Sequence, residues 1–349
     1  MPEPHALARD LDDILERNRD DFAALRGARL FVTGGSGFVG TWLVESFAWA
    51  NRRLALGAHA ELLVRDVARF ATVAPHLAGD AAVSTVAGDV RTFAAPAGRY
   101  DAVLHLATPA SAAVNDDEPL VMIDTVVDGM RRVLDLAAAS GRVPLLFTSS
   151  GAVYGRQPPE LELVAETDRG GPDPLDARFA YHEAKRLAEQ LCAVYAKTRA
   201  VAPKIARLFA FVGPHLPLDR HFAVGNFVRD ALAGGPIVVG GDGTPVRTYL
   251  YAGDMTSWLW RILVRGEPLR AYNVGSCEPM SIEQTARRVA GAAAPESEVI
   301  VRGMPVANRP TERYACATDR ARTELDLAEW TPFDESIRRT LAWAAARTS

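Results

Sequence analysis

A glycine-rich turn between an apolar run and a helix-like stretch constrains the fold of this chain more than any other sequence feature. The apolar run is residues 28–32, and the turn after it reads Thr-Gly-Gly-Ser-Gly-Phe-Val-Gly at residues 33–40. Glycines between a strand and a helix let backbone N–H groups approach a pyrophosphate, which the positive end of the helix dipole also attracts. Glycine-rich turns also form for packing reasons, so the turn alone does not identify a nucleotide site.

Length and composition fit one large α/β domain or two lobes that share a cleft. The chain has 349 residues, of which 48% are hydrophobic and 23% charged, and its net charge of −4 argues against a nucleic-acid partner. The three cysteines, Cys192, Cys277 and Cys316, lack metal-ligand spacing, so we predict reduced thiols and no metal site. No segment has the pattern of a signal peptide or a membrane span, and we therefore predict a cytoplasmic protein without a membrane partner.

Short apolar runs alternate with longer amphipathic stretches from residue 28 onward. This alternation predicts parallel βαβ units with right-handed crossovers, that is, an α/β fold with a doubly wound parallel sheet. The predicted strands are Arg29–Thr33, Glu61–Val64, Ser84–Val86, Ala102–Leu106, Leu145–Thr148 and Lys204–Phe209. The predicted helices include Thr41–Trp49, Pro119–Ala139 and Tyr181–Lys197.

We predict three parts along the chain. Residues 1–27 form an N-terminal amphipathic helix, because six apolar residues recur there at helical intervals: Leu7, Leu11, Ile14, Leu15, Phe22 and Leu25. Residues 28–205 form a dinucleotide-binding Rossmann domain. Turn residues multiply after residue 210, so residues 206–349 are predicted to form mainly a smaller α/β substrate lobe, with segments returning to the first domain.

A second signature follows the glycine turn. Tyr181 and Lys185 are four residues apart on a predicted helix and share one face. A neighbouring ammonium favours the phenolate, so we expect Lys185 to lower the pKa of Tyr181. Ser150 ends a predicted strand, where open α/β sheets bind ligands, and its hydroxyl can bond the same substrate oxygen. An isolated Tyr-x-x-x-Lys indicates a surface pair, but the three features in this order predict an active site.

With these motifs, the chain resembles the extended short-chain dehydrogenase/reductases of the NAD-dependent nucleotide-sugar epimerase/dehydratase family. The resemblance covers roughly residues 28–345. The matching landmarks are the Thr-Gly-x-x-Gly-x-x-Gly turn, Gly88-Asp89-Val90, His105-Leu106-Ala107, Ser150, Tyr181 with Lys185, Arg207, and residues 241–247, 272–275 and 330–332.

The resemblance implies a nicotinamide dinucleotide in the first lobe. Its implied contacts are Gly34, Ser36, Gly37, Phe38, Val39 and Gly40 around the pyrophosphate, Asp89 and Val90 at the adenine, Leu106, Ala107 and Thr108 on the ribose side, and Tyr181, Lys185 and Leu208 further along. For Asp89, a simple turn role is the alternative. At the end of the second strand, Arg65 would suit the 2′-phosphate of NADP and Asp66 the ribose of NAD. We favour NAD, with NADP as the alternative.

The resemblance also implies a nucleotide-sugar substrate and a homodimer. The implied substrate contacts are Ser111, Ser150, Ala210, Asn226 and Arg247. Arg247 matches an arginine that contacts the sugar-nucleotide phosphates, a role suited to a guanidinium, although a surface salt bridge is the alternative. Ala210 stands where many relatives carry an asparagine. The helices at 119–139 and 181–197 would form the dimer interface.

The reaction depends on the two residues after Ser150. In the 4,6-dehydratases of this family these are an Asp-Glu pair, and in the sugar-acid decarboxylases the second is a glutamate. Here they are Gly151 and Ala152, which cannot transfer protons. A 4-epimerase needs no further acid or base, so we expect epimerisation at C4 through a transient 4-keto sugar.

Three alternatives remain open. Arg65 favours a 4-keto-sugar reductase that consumes NADPH. Residues 105–111 resemble the corresponding decarboxylase segment. A dehydratase or decarboxylase whose acid or base comes from another segment is therefore the second alternative. A catalytically silent dinucleotide sensor on the same fold is the third alternative, and the intact Tyr181/Lys185 pair argues against it.

Overall fold

The structure is a computed structural model that describes residues 5–108, 112–219, 222–293, 297–306 and 310–348. Its strands are β1 (Arg29–Thr33), β2 (His59–Val64), β3 (Val83–Ala87), β4 (Ala102–His105), β5 (Pro144–Ser150), β6 (Ala202–Leu208), β7 (Ala210–Val212), β8 (Ile237–Val239), β9 (Val246–Arg247), β10 (Tyr249–Tyr251), β11 (Ala271–Val274), β12 (Met280–Ser281), β13 (Val299–Val301) and β14 (Arg313–Tyr314). Its α-helices are α1 (Ala8–Arg17), α2 (Arg19–Ala23), α3 (Phe38–Leu54), α4 (Val67–Val73), α5 (Pro75–Ala78), α6 (Ala112–Asp117), α7 (Pro119–Ser140), α8 (Ala180–Arg199), α9 (Ala223–Leu232), α10 (Ala252–Arg265), α11 (Ile282–Ala293), α12 (Asp319–Leu325) and α13 (Phe333–Thr348).

Seven parallel strands form the central sheet, in the order β11-β6-β5-β4-β1-β2-β3. The strand order reverses between β1 and β4, which is where sheets of this topology bind ligands at their carboxyl edge. All four residues of β4 are buried, as expected for a strand covered by helices on both faces. The predicted doubly wound parallel sheet is therefore confirmed.

Side chains that alternate along β1 enter two separate cores. Leu30 and Val32 pack into a core with α3 and α10, whereas Phe31 packs with α7 and α8 on the other face. This alternation follows from the two-residue period of a strand. Large aromatic side chains fill the first core, including the fully buried Trp258 and Trp260.

The sheet extends beyond the six predicted strands. β11 lies beside β6, with Ala271 opposite Ile205 and Val274 opposite Leu208. This strand comes from the C-terminal part of the chain and returns to the central sheet. The predicted boundary between residues 205 and 206 falls inside β6, and the division into lobes stays a prediction.

The N-terminal segment forms two helices, α1 and α2, where the sequence predicted one. The break is at Asn18, whose side-chain amide donates to the Ser257 carbonyl at 2.9 Å. All six apolar residues named for this segment are buried in the core with α3 and α10. The segment therefore packs on the body of the protein, as its amphipathic pattern indicated.

Three small sheets carry the remaining strands: β7 with β10, β8 with β13, and β9 between β12 and β14. A third core joins them to α9, α11 and α13. Within the described residues, none of the helices has the length and apolar character needed to cross a bilayer.

Candidate active site

The carboxyl edge of the central sheet gathers most of the residues that the sequence singled out. They lie on this edge, on the loops leaving it or in the first turn of α3: Gly34, Ser36 and Gly37 after β1, Phe38, Val39 and Gly40 at the start of α3, Arg65 and Asp66 after β2, Asp89 and Val90 after β3, Leu106, Ala107 and Thr108 after β4, Ser150 at the end of β5, and Leu208 at the end of β6. Parallel strands place their carboxyl ends on one edge, so residues far apart in sequence share one cleft.

The glycines after β1 form a cradle, and at two of them, Gly34 and Gly40, a side chain would clash with the backbone. Gly34 has φ of +74°, and a Cβ there would lie 2.6 Å from the backbone nitrogen of Ala107. A Cβ on Gly40 would clash with the Gly34 carbonyl oxygen. Gly37 is the N-cap of α3 and meets only that oxygen, at 3.4 Å. The start of α3 is thus open to an anion, and the cradle fits a pyrophosphate.

Hydrogen bonds between the ends of β1 and β4 fix this cradle. The Thr33 hydroxyl bonds the Nδ1 atom of His105 at 2.8 Å and accepts the Ala107 N–H at 3.2 Å. Burial lowers the pKa of His105 to about 3, with a smaller effect from the nearby Lys185 charge. His105 is therefore neutral and serves as a buried hydrogen-bonding group at neutral pH.

The acidic residues predicted to meet the adenosine half already have local partners. Asp66 caps α4 and accepts the Arg69 N–H at 2.9 Å. Asp89 accepts two bonds from the Arg91 guanidinium, at 2.9 Å each, and these hold the pKa of its carboxyl below its usual range. Arg65 is exposed and its charge acts on Asp89, so it lies on this side of the cleft.

Ser150 is held with its oxygen toward the cleft. It is buried, and its Oγ accepts the Ala152 N–H at 3.1 Å at the start of a short 3₁₀ helix, Gly151–Tyr154. Because the oxygen accepts this bond, the hydroxyl proton remains available for donation. Ser150 also hydrogen-bonds Tyr181 and thereby opposes the rise in the pKa of that phenol.

Tyr181 lies in the first turn of α8, and the direction of its pKa shift differs from the expectation. Burial is the main cause and raises the pKa of Tyr181, which the bond from Ser150 only reduces. The expected lowering by Lys185 is wrong for this structure, because the cost of burying a phenolate dominates the shift. The Lys185 Nζ is 5.9 Å from the centre of the Tyr181 ring.

Lys185 is fully enclosed beneath the cleft. Its Nζ donates to the Thr108 hydroxyl at 2.8 Å and to the Thr148 carbonyl at 2.7 Å, and it lies 4.8 Å from the centre of the Phe147 ring. Burial lowers the pKa of Lys185 to about 7. The lysine therefore joins the ends of β4 and β5 to α8, and Thr108 meets it directly.

Tyr314 is a member of this group that the sequence did not reveal. Its hydroxyl lies 3.5 Å from the Ser150 Oγ and donates to the Leu208 carbonyl at 3.3 Å. Burial raises the pKa of Tyr314, so the phenol is protonated. It comes from β14, far from the other motifs, and no local pattern marks it.

Gly151 has no room for a side chain. A Cβ at this position would lie 2.6 Å from the Phe209 Cζ and 2.8 Å from the Tyr314 hydroxyl. Ala152, the next residue, is buried. The space of the first acid in a dehydratase-type pair is therefore filled by two aromatic side chains.

A carboxylate does lie behind the cleft, but it is engaged. Glu189 accepts two bonds from Arg207, at 2.7 and 3.0 Å, and one from the Ser149 hydroxyl at 2.6 Å. Arg207 also donates to the Tyr154 hydroxyl at 2.9 Å. The Arg207 landmark thus ties α8 to β6, and Glu189 is not free to replace the missing acid.

The predicted substrate residues lie on several elements. Arg247, on β9, pairs with Glu312, and its charge acts on Tyr314. Ala210 is on β7, and Asn226 is on α9, where its side-chain oxygen accepts from Arg229 at 3.2 Å. Ser111 lies outside the described residues. Arg247 is thus the member of this set with an electrostatic link to the Ser150 group.

Sequence comparison places this arrangement among known enzymes. The profile of the "NAD dependent epimerase/dehydratase family" matches residues 30–275. UDP-glucuronic acid decarboxylase 6 of Arabidopsis thaliana is 30% identical over 276 residues, 78% of this chain and 76% of its own length. UDP-glucuronic acid decarboxylase 1 of Xenopus tropicalis is 28% identical over 90% of this chain and 71% of its own.

Solved structures share the fold. The UDP-glucose 4-epimerase of Thermotoga maritima superposes with a TM-score of 0.76 at 19% identity, over 92% of this chain and all of its own. A dTDP-glucose 4,6-dehydratase of Streptomyces venezuelae, crystallised with NAD, gives 0.76 at 22% identity, over 91% of this chain and 97% of its own. With the matching sequence profile and the 30% identical relative, this chain belongs to the NAD-dependent epimerase/dehydratase family of enzymes.

Proposed function

We propose that the chain is a nucleotide-sugar epimerase that acts at C4 through a transient 4-keto sugar. One observation carries the proposal: Ser150, Tyr181 and Lys185 are assembled at the carboxyl edge, while Gly151 and Ala152 supply no acid. Oxidation and re-reduction at one carbon need a single proton carrier, whereas dehydration needs further acid and base groups.

Tyr181 and Ser150 have different roles at the same substrate oxygen. Tyr181 takes the proton of the C4 hydroxyl and later returns it, while Ser150 donates a hydrogen bond to the same oxygen. Bound NAD would supply a hydride acceptor and a positive charge beside this phenol. In the ligand-free protein, burial keeps Tyr181 protonated, so the phenol ionises only when a ligand changes its surroundings.

Packing around Gly151 supports epimerisation over dehydration. Phe209 and Tyr314 fill the space that an acidic side chain at residue 151 would need. Glu189 cannot take over, because Arg207 and Ser149 bind both of its oxygens. The keto sugar would therefore meet no free carboxyl group from these positions and would be reduced again.

Decarboxylation of a nucleotide hexuronic acid is the second candidate, and the similarity to UDP-glucuronic acid decarboxylases favours it. A 4-keto hexuronic acid is a β-keto acid, which can lose carbon dioxide without a protein acid. The segment 105–111 resembles the decarboxylase pattern, although residues 109–111 lie outside the described residues. The choice depends on whether the substrate carries a carboxylate.

We propose NAD as the cofactor over NADP. The family description names NAD, and Asp66 follows β2 where a carboxylate can serve the adenosine ribose. Arg65 is the feature that would suit NADP and a reductase. Mass spectrometry of the dinucleotide released from denatured protein distinguishes NAD from NADP, and NADP in the released fraction would overturn this choice.

We propose a homodimer through α7 and α8. These helices leave large apolar side chains exposed, including Leu120 at 73%, Leu187 at 46% and Val194 at 44%. A second copy would cover them in a two-fold interface. Light scattering on a sizing column gives the mass directly, and a monomer at micromolar concentration would contradict the proposal.

Product analysis in D₂O tests the reaction. The protein is incubated with NAD and a panel of nucleotide hexoses and hexuronic acids. The products are separated and their masses are measured by mass spectrometry. An isomer of unchanged mass with no deuterium on carbon is expected for C4 epimerisation. A product lighter by carbon dioxide would favour the second candidate, and one lighter by water would reveal a relocated acid. In a parallel incubation with NADPH, net consumption of the coenzyme would indicate a reductase.

A further inference from the structure

A buried glutamate outside the active-site cleft is surrounded by histidines from distant segments. Glu45 lies on α3, with its side chain 1% exposed. His5 precedes α1, His76 lies on α5 and His215 lies in the loop after β7. One ligand atom each of His5, Glu45 and His76 lie within 4.8 Å of one another.

We propose that His5, Glu45, His76 and His215 form a binding site for a first-row divalent metal ion of the Zn²⁺ type. Three imidazoles and one carboxylate are a donor set that zinc accepts in proteins. The cysteine spacing predicted no metal site. It could not reveal these four residues, because they are far apart in sequence.

The distances in the cluster suit one small ion. The His76 Nε2 is 2.9 Å and the His215 Nε2 is 3.4 Å from the same Glu45 oxygen, Oε1. In a tetrahedral zinc site with bonds of about 2.0 Å, neighbouring ligand atoms lie about 3.3 Å apart. Side-chain adjustments of about 1 Å would bring His5, Glu45 and His76 to that separation. His215 lies beside the same carboxylate but outside this mutually close set, so its ring would have to approach further to become the fourth ligand.

Two buried atoms of the cluster lack hydrogen-bond partners among the described residues. They are the second oxygen of Glu45, Oε2, and the Nε2 of His215, which lies 3.4 Å from Oε1 without hydrogen-bond geometry. Buried polar atoms normally have a hydrogen-bond partner, and the described residues around these two atoms do not provide one. A metal ion between the rings and the carboxylate would satisfy both.

The surroundings fix the ligands in place. His215 has φ of +67°, an uncommon conformation for a residue with a side chain, and its ring packs on Trp343 and Trp42 at 4.8 and 6.1 Å between centres. His5 packs on Trp49 at 5.8 Å.

The ion would join four parts of the molecule. It would fasten the N-terminal helices to α3, and α3 to α5 and to the loop after β7. Glu45 is eight residues beyond Gly37, about 12 Å along the helix axis, so the ion would lie well behind the pyrophosphate cradle. We therefore infer a structural role for this ion, independent of the sugar chemistry.

Metal analysis of untagged protein tests the proposal. The chain is loaded with zinc sulfate, passed over a sizing column in zinc-free buffer and measured by plasma mass spectrometry. His76→Ala is the informative variant, because the His76 side chain is 45% exposed and its loss should leave the fold intact. His59→Ala is the matched control, since His59 bonds Ser84 and is outside the cluster.

We expect about one zinc per chain in the wild type and in His59→Ala, and binding weakened at least about tenfold in His76→Ala. A chelator should lower the Tm of the first two proteins and leave His76→Ala unchanged. Cobalt loading should give the intense visible bands of a tetrahedral site. The proposal is overturned if the wild type retains no more zinc than His76→Ala, or if the chelator leaves its Tm unchanged.

Discussion

Replacing Gly151 by alanine is expected to destabilise the protein and to disturb the group around Ser150. The new Cβ would lie 2.6 Å from the Phe209 Cζ, whereas non-bonded carbon atoms rest about 3.5–4.0 Å apart. The Phe209 ring would have to move by about 1 Å. It packs on Tyr314 and Tyr154, at 4.7 and 6.2 Å between ring centres, so this movement disturbs both neighbours.

The magnitude follows from two opposing effects. Adding atoms to a packed interior costs about 1–3 kcal/mol. Replacing glycine by alanine recovers about 0.4–1 kcal/mol from the lower entropy of the unfolded chain. We therefore expect Gly151→Ala to lower the free energy of unfolding by about 1–2 kcal/mol, and to lower kcat because Tyr314 lies against Ser150.

Gly291→Ala is the matched control for this prediction. Gly291 is an exposed position in α11, and a Cβ there would meet nothing within 4 Å. The same substitution should therefore raise the free energy of unfolding, by about 0.5–1 kcal/mol. Urea unfolding followed by tryptophan fluorescence compares the two variants. Equal stabilisation by both would refute the packing of Phe209 and Tyr314 on Gly151.

Three further predictions concern the groups beneath the cleft. Tyr181→Phe should lower kcat by about 10²–10⁴-fold and leave the Tm nearly unchanged, because the proton carrier is lost while the packed ring remains. Steady-state kinetics and a thermal melt measure the two effects, and retained turnover would contradict the role of Tyr181. Glu189→Gln should lower the free energy of unfolding by about 3 kcal/mol, because it leaves the half-buried Arg207 without its carboxylate partner. Urea unfolding measures this difference, and a difference within experimental error would show that Arg207 finds another partner. Lys185→Met should change how stability depends on pH. The wild-type lysine has a pKa near 7 when folded and about 10.4 when unfolded, so the unfolded chain binds more protons between these values and wild-type stability rises with pH there. The variant lacks this contribution, and identical pH slopes for the two proteins would contradict the buried lysine.

Local patterns were sufficient to predict the framework of the fold. β1 spans Arg29–Thr33 as predicted, because an apolar run ending in a glycine turn has few alternative structures. α7 begins at Pro119, where a proline suits the first turn of a helix. These elements depend on residues close together in sequence, which is why sequence reasoning found them.

Long-range contacts could not be predicted in this way. Tyr314 meets Ser150 across 164 residues, and β11 joins β6 only after the chain has passed through the C-terminal elements. The direction of the Tyr181 pKa shift was missed for a related reason. The sequence showed a nearby lysine, but the burial that dominates the shift depends on the whole tertiary structure.

Burial also explains how the site can respond to its ligands. It moves Tyr181, Lys185 and His105 toward their neutral forms, while Glu189 is neutralised by Arg207. A cleft with so little unpaired charge of its own is sensitive to each charge that a ligand brings, because charges interact more strongly where water is excluded. The position of the Tyr181 proton should therefore depend on what is bound. A phenol that loses its proton when the site is filled and regains it afterwards suits a reaction that oxidises and then reduces the same carbon.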